Sequence, residues 1–272
     1  MLSDITLGQY FPAKSVMHRA DPRLKICLTI FAIVLIFSSG NFFSLALAVG
    51  YILLGMGLSK IPVKLYLKSL KPILFIIVFT AVLNIFYGTG EPLWQWGIIK
   101  ITRNGLLNSL FVSIRIIVLI LASSVLTFTT SPTQLTDAIE RLLRPLAKLR
   151  VPVHEFAMMM TIALRFVPLL LEETDKIMSA QKARGADMES GGVVQRIKAL
   201  VPVLIPLFVS AFRRAFDLAT AMESRCYHGG EGRTKMKQLR FCPVDWMVLL
   251  SAALALGGFV VLNVVFPPSI VR

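Results

Sequence analysis

"GLLNSLFVSIRIIVLILASSVLTF" fills residues 105–128, and among its 24 residues Arg115 is the single charge. As a helix rising 1.5 Å per residue it would run about 36 Å, enough to cross roughly 30 Å of hydrocarbon. Four further apolar blocks read the same way: "LKICLTIFAIVLIF" (24–37), "FFSLALAVGYILLGMGL" (42–58), "PILFIIVFTAVLNIFY" (72–87) and "WMVLLSAALALGGFVVLNVVF" (246–266). The first is announced by Asp21-Pro22, an N-cap followed by the residue best suited to the first helical position. "SSGN" (38–41) ends it. The expectation is an all-α integral membrane protein with about five transmembrane helices.

Composition agrees. The 272 residues are 56% hydrophobic with a formal charge of +14, and mean hydropathy is +0.72. On a soluble chain that charge would suggest nucleic acid. Here it reads as loop charge that sets membrane orientation, and no nucleic-acid partner is expected. The three cysteines, Cys27, Cys226 and Cys242, lack zinc spacing, so neither a metal site nor a disulfide framework is expected. The N-terminus shows no basic region, apolar run and small-residue cleavage site in series, so no cleaved signal peptide is expected.

Between the fourth and last blocks the texture changes. "SPTQLTDAIERLLRPLAKL" (131–149) places Leu135, Ile139, Leu142, Leu143 and Leu146 on one face of a helix. Two shorter apolar runs follow: "FAMMMTIALRFVPLLL" (156–171), with Arg165 inside it, and "ALVPVLIPLFVSAF" (199–212), with Pro202 and Pro206. Treating neither as a span leaves nearly all Lys and Arg on one side, in segments 1–23, 59–71 and 129–245. The positive-inside bias makes that side cytoplasmic. The expected organisation is a four-span membrane region over 1–128, a cytoplasmic helical coupling domain over 129–245, and a last span with a short outer tail over 246–272. The two runs are expected as helices at or just under the membrane, their prolines tolerated where neighbours meet the freed backbone groups. Trp94, Trp96 and Trp246 read as interface anchors.

Catalytic signatures are missing. "GGEGRTK" (229–235) has the wrong spacing for a phosphate cradle, and the chain has neither His-Glu-x-x-His nor Gly-x-Ser-x-Gly. His18, His154 and His228 are scattered and read as surface or capping residues. Arg115, an ionisable group inside a span, is a functional candidate by default, weighed against a structural tie to a polar neighbour. The chain is therefore expected to be no enzyme. A coupling part is favoured, with a stand-alone secondary carrier or channel as the alternative.

One signature occurs twice. "AQKARGA" begins at Ala180 and "AMESRCY" at Ala221, and their alignment sets Ala183-Arg184-Gly185 over Ser224-Arg225-Cys226. A guanidinium at an exposed helix end can donate to a carboxylate or to backbone carbonyls, and stays charged at any working pH. Gly185 can end its helix in the left-handed region. At the second copy the glycine is replaced by Cys226, so a differently shaped helix end is expected there, with the glycines at 229–230 making the turn.

These motifs resemble the paired Ala-Arg-Gly signatures of the transmembrane (T) component of energy-coupling factor transporters. "HRADPRLK" (18–25), "TTSPTQLTDAIERLLRPL" and "TIALRFVPLLLEE" resemble that family's other segments, so the likeness covers almost the whole chain. The resemblance implies a subunit of a bacterial or archaeal cell membrane. It would join two ABC-type ATPases, which hold the ATP and magnesium, to a substrate-binding S component for uptake of a vitamin or transition-metal ion. It implies no cofactor in this chain, and ATPase docking by Ala183, Arg184, Gly185, Ser224, Arg225 and Cys226. Met158, Met159, Met160, Val201, Leu204 and Leu207 form a candidate surface for the S component, since methionine suits a surface that accepts several partners. Internal packing is the alternative for most of them.

Overall fold

The computed structural model describes residues 9–86, 92–96, 99–186, 192–230 and 241–266. They fold as two compact units, one of residues 132–230 and the other of residues 9–131 with 241–266.

The larger unit opens with a short helix α1 (Val16–Arg19) and α2 (Pro22–Ser38), where Asp21 accepts the Arg23 N–H and Pro22 takes the first turn. Helix α3 (Phe42–Ser59) starts at an Asn41/Ser44 capping box. Then α4 (Val63–Leu70) runs through a 3₁₀ turn at Lys71–Ile73 into α5 (Leu74–Phe86). A two-stranded antiparallel hairpin, β1 (Pro92–Trp96) with β2 (Ile99–Thr102), leads to α6 (Arg103–Thr129). The sequence reading did not foresee this hairpin. Its tryptophan side chains lie outside the described structure, whereas Trp246 is exposed at the start of the last helix. That helix, α10 (Pro243–Val265), completes the unit.

Small residues let these helices approach closely, as helices in lipid require. Ala32 and Ile36 of α2, Ala48 and Ile52 of α3, and Val118 and Ala122 of α6 form one buried cluster. Tyr66 and Phe128 meet edge to face at 5.2 Å, and the Tyr66 hydroxyl reaches Ser59 Oγ at 3.0 Å. Ser109 Oγ of α6 donates to Ala81 O of α5 at 2.8 Å. Apolar side chains such as Phe75, 78% exposed, cover the outer faces, the pattern expected where lipid is the solvent.

In the second unit α7 (Pro132–Leu143) ends in a 3₁₀ turn at Arg144–Leu149. Helices α8 (Val153–Ala183) and α9 (Val193–Glu223) follow, each of 31 residues. The runs 156–171 and 199–212 are thus the apolar halves of much longer helices. Among the described residues six helices are long and apolar enough to cross a membrane: 42–59, 63–86, 103–129, 153–183, 197–223 and 243–265. The count differs from the expected five because α8 and α9 qualify, while α2, expected as the first span, has 17 residues. An all-α membrane protein, apart from one hairpin, is the outcome.

Candidate functional site

The repeated signature folds into a repeated structure. At the end of α8, Arg184 N–H donates to Gln181 O at 3.1 Å, Gly185 N–H to Lys182 O at 3.0 Å, and Ala186 N–H to Gln181 O at 3.0 Å. At the end of α9, Arg225 N–H donates to Met222 O at 3.1 Å, Cys226 N–H to Glu223 O at 2.9 Å, and Tyr227 N–H to Met222 O at 3.1 Å. Residue for residue, these are the same three bonds in the alignment that sets Ala180 over Ala221. Both are Schellman closures, in which a left-handed residue turns the chain back to satisfy the last carbonyls.

The left-handed residue is Gly185 at φ +87° in the first and Cys226 at φ +53° in the second. The different second helix end expected from the lost glycine does not occur. Cysteine has taken the strained conformation, and Gly229, at φ +100°, makes a separate turn further on. Gly230 then comes so close to His154 that a Cβ there would lie 2.3 Å from the ring.

Ala183, Arg184, Gly185, Ser224, Arg225 and Cys226 are all exposed. Among the described residues neither guanidinium has a side-chain partner. Each sits where the helix presents its partial negative charge, so the cation is held favourably at the end of its rod.

What fixes the rods is their own contact. The Gln181 amide donates to Pro202 O at 3.2 Å. That carbonyl would normally receive the N–H of residue 206, and Pro206 has none. A neighbour thus meets the freed group, as the sequence reading required. Further along, Glu173 accepts from Ser210 Oγ at 2.6 Å and from Arg214 at 2.5 Å. The charged stretch 172–183 of α8 is too polar for hydrocarbon. There the Ser210 hydroxyl, and after it the Arg214 guanidinium, hold Glu173 below its ordinary value. As positions rise along α8 their partners fall along α9, so the helices run antiparallel and the two arginines lie at opposite ends of the pair. From Pro202, beside Gln181, to Arg225 is about 35 Å at 1.5 Å per residue.

Of the candidate apolar surface, Met159, Met160, Val201 and Leu204 are exposed, and Met158 and Leu207 are half-buried. Sequence reasoning ended this surface at Leu207. In the structure Phe208, Phe212 and Phe216 extend it at four-residue spacing, exposed by 61%, 63% and 71%. Continuing the helical period from Leu204 would have found Phe208 and Phe212, and carrying it past Arg213 and Arg214 would have found Phe216.

Arg115 is a tie. Its guanidinium donates to Ser39 O at 2.6 Å, at the C-cap of α2, and lies 4.7 Å from the Phe111 ring centroid. His18 is also engaged, with Nε2 2.9 Å from Phe11 O and Nδ1 2.7 Å from Ser15 Oγ. The sequence reading missed Asp245, fully buried at the start of α10. It accepts the backbone N–H of Asp21 at 2.8 Å and of Cys242 at 2.7 Å, so one carboxylate joins the starts of α2 and α10. The signal was present in "CPVDW": proline at the first helical position and an acid two residues later.

Comparison with known proteins decides the assignment. Residues 13–236 match the family described as CbiQ, cobalt transport protein. A protein of Ruminiclostridium cellulolyticum named energy-coupling factor transporter transmembrane protein EcfT is 54% identical over 248 residues, 91% of this chain and 93% of the relative. The chain belongs to the CbiQ/EcfT family. Family members named EcfT from Acidaminococcus fermentans (52% identical, 96% of this chain and 97% of the relative) and Bacillus subtilis (46% identical, 92% and 95%) agree over nearly their whole lengths. As an EcfT-family chain it is a multi-pass membrane component of an energy-coupling factor transporter, and the relatives are named as transporter components, not as enzymes.

Proposed function

We propose that this chain transmits work from two cytoplasmic ABC-type ATPases to a separate substrate-binding membrane subunit, driving uptake of a vitamin or a transition-metal ion. The observation that carries the reading is the pair of superposable helix ends, each with an exposed arginine, at opposite ends of an antiparallel rod. Each end docks one ATPase, with Arg184 or Arg225 donating to carbonyls or a carboxylate in the ATPase groove. The exposed face of α9 meets the substrate-binding subunit. ATP and magnesium stay on the ATPases, and this chain performs no chemistry. The lysine and arginine distribution supports a cytoplasmic N-terminus and a cytoplasmic unit of residues 132–230.

Co-purification of the complex from cells expressing Arg184→Glu, Arg225→Glu and the double variant tests this. Each single change is expected to weaken retention of ATPase and the double change to abolish retention and uptake. Full uptake by the double variant would refute it. Orientation is tested separately with Leu149→Cys as the sole thiol, after Cys27→Ser, Cys226→Ser and Cys242→Ser, since Leu149 is exposed and lies outside the docking ends. An impermeant maleimide should label it only in permeabilised cells.

A further inference from the structure

The stretch "HRADPRLK" (18–25) helps carry the family likeness but has no part in the docking ends. It stands where the larger unit is left and re-entered. The chain passes out of this unit after Ser131 and is described in it again from Phe241. Connections ordinarily run over the surface, because their backbone groups need water. Here Thr129 and Thr130 are buried, and so are Asp21, Lys25 and Asp245.

One run of hydrogen bonds joins the two places. The Cys242 N–H donates to Asp245 Oδ2 at 2.7 Å, and the Asp21 N–H donates to Asp245 Oδ1 at 2.8 Å. The Lys25 N–H closes the first turn of α2 on Asp21 O at 3.2 Å. The Lys25 ammonium then donates to Thr129 O at 3.0 Å, one of the last carbonyls of α6, which lie beyond the reach of that helix's own N–H groups. Arg23 pairs with Asp21 at 2.7 Å, and its guanidinium lies 5.3 Å from the Phe241 ring centroid. Both carboxylates, Asp21 and Asp245, act electrostatically on both cations. Burying such charges carries a heavy desolvation cost, and apolar residues of the same volume often give equal or greater stability. Fold stability alone therefore does not account for this group. What the charges add is a fixed relation between Thr129 and Cys242.

We propose that Asp21, Arg23, Lys25 and Asp245 form a coupling clamp, which locks the exit at Thr129 to the re-entry at Phe241. Displacement of the 132–230 unit then moves the starts of α2 and α10 and the end of α6 as one body. Lys25 is the positioning residue, because its ammonium ties α6 to the first turn of α2. The inference rests on the coupling reading above, in which the 132–230 unit takes the ATPase stroke. A contiguous hydrogen-bonded network between helix ends passes such a stroke on, where a slack connection would stretch.

The test is hydrogen–deuterium exchange on the full complex with its partner subunits, first with ADP and then trapped with ATP and vanadate. In the wild type, trapping is expected to change exchange in peptides 172–183, 20–28, 124–131 and 241–250 together. In Lys25→Met, which keeps much of the side-chain volume without the charge, the change at 172–183 should persist. The change at 20–28 and 241–250 should fall about tenfold, the worth of one hydrogen bond to a charged group. Lys25→Arg keeps a cation and should restore most of it. Should Lys25→Met fail to accumulate, Phe241→Leu decides: it removes the Arg23 ring contact at an exposed position, and the change at 241–250 should fall about twofold. An undiminished change at 20–28 and 241–250 in Lys25→Met would overturn the clamp. So would exchange raised by the same factor in both nucleotide states, the mark of a merely structural lysine, or no loss in Phe241→Leu. A wild-type change that stops at 172–183 would sink the clamp alone, whereas no change even at 172–183 would sink the coupling reading and the clamp with it.

Discussion

Cys226 holds at φ +53° the left-handed position that Gly185 holds at φ +87°, and the three hydrogen bonds closing each turn are the same. A side chain in that region costs about 1–2 kcal/mol, while glycine gives back about 0.5–1 kcal/mol through its freer unfolded chain. Cys226→Gly should therefore stabilise the protein by up to about 1 kcal/mol, and Gly185→Ala should destabilise it by a similar amount. Thermal midpoints of the purified protein in detergent check both. A Cys226→Gly variant that melts lower than the wild type would show that the thiol contributes something beyond its backbone shape.

Asp245 is expected to be the least replaceable acid in the larger unit. With its carboxylate removed, the buried N–H of Asp21 loses its acceptor, at about 1–3 kcal/mol, while the N–H of the exposed Cys242 can turn to water. Asp245→Ala should lose about that much and accumulate poorly. Asp245→Asn, which keeps one acceptor oxygen, should fall between. Denaturation midpoints of the two variants, ranked against the wild type, decide it, and equal midpoints would remove the link between α2 and α10.

Arg115 should matter for folding and not for transport. Its bond to Ser39 O closes the end of α2, and hydrogen bonds to charged groups contribute about 1.5–3 kcal/mol. Arg115→Ala is expected to lower thermal stability by about that much, while uptake per correctly inserted molecule stays near wild type. Arg115→Lys keeps the charge but loses the planar contact with Phe111, so it should recover part of the loss. A stable Arg115→Ala protein with no uptake would return this residue to the functional list.

The helices and the arginine pair were legible because each depends on local chemistry. Apolar length fixes a span, and Arg-Gly at a helix end fixes a cap. The second cap was misread because a rule about glycine was allowed to outweigh the repeat itself: Ala221 aligned on Ala180 already placed Cys226 at the turn. Asp245 escaped notice because its partner Asp21 is 224 residues away, and no local period connects them. The lengths of α8 and α9 were underestimated for a different reason. Apolar runs mark only the halves that pack or meet lipid, whereas backbone hydrogen bonding continues through the charged turns that follow.

Glu173 offers a pH-dependent reading of the contact between α8 and α9. Bonds from Ser210 and Arg214 hold its folded value below the ordinary range. Lowering the pH then protonates the unfolded chain first, so the contribution of Glu173 is complete above about pH 4.3 and fades as pH falls through the lower folded value. The pair is partly exposed, with 23% of the Glu173 side chain and 36% of the Arg214 side chain accessible, so the contribution stays below about 1 kcal/mol. Glu173→Gln cannot ionise and should melt slightly below the wild type at neutral pH. Measured down a pH series, the gap between the two proteins should hold until the carboxylate begins to protonate and close under about pH 4. A gap that widens on acidification would mean that the carboxylate is working against the helix pair, and the antiparallel contact would then rest on Gln181 and the apolar residues around it.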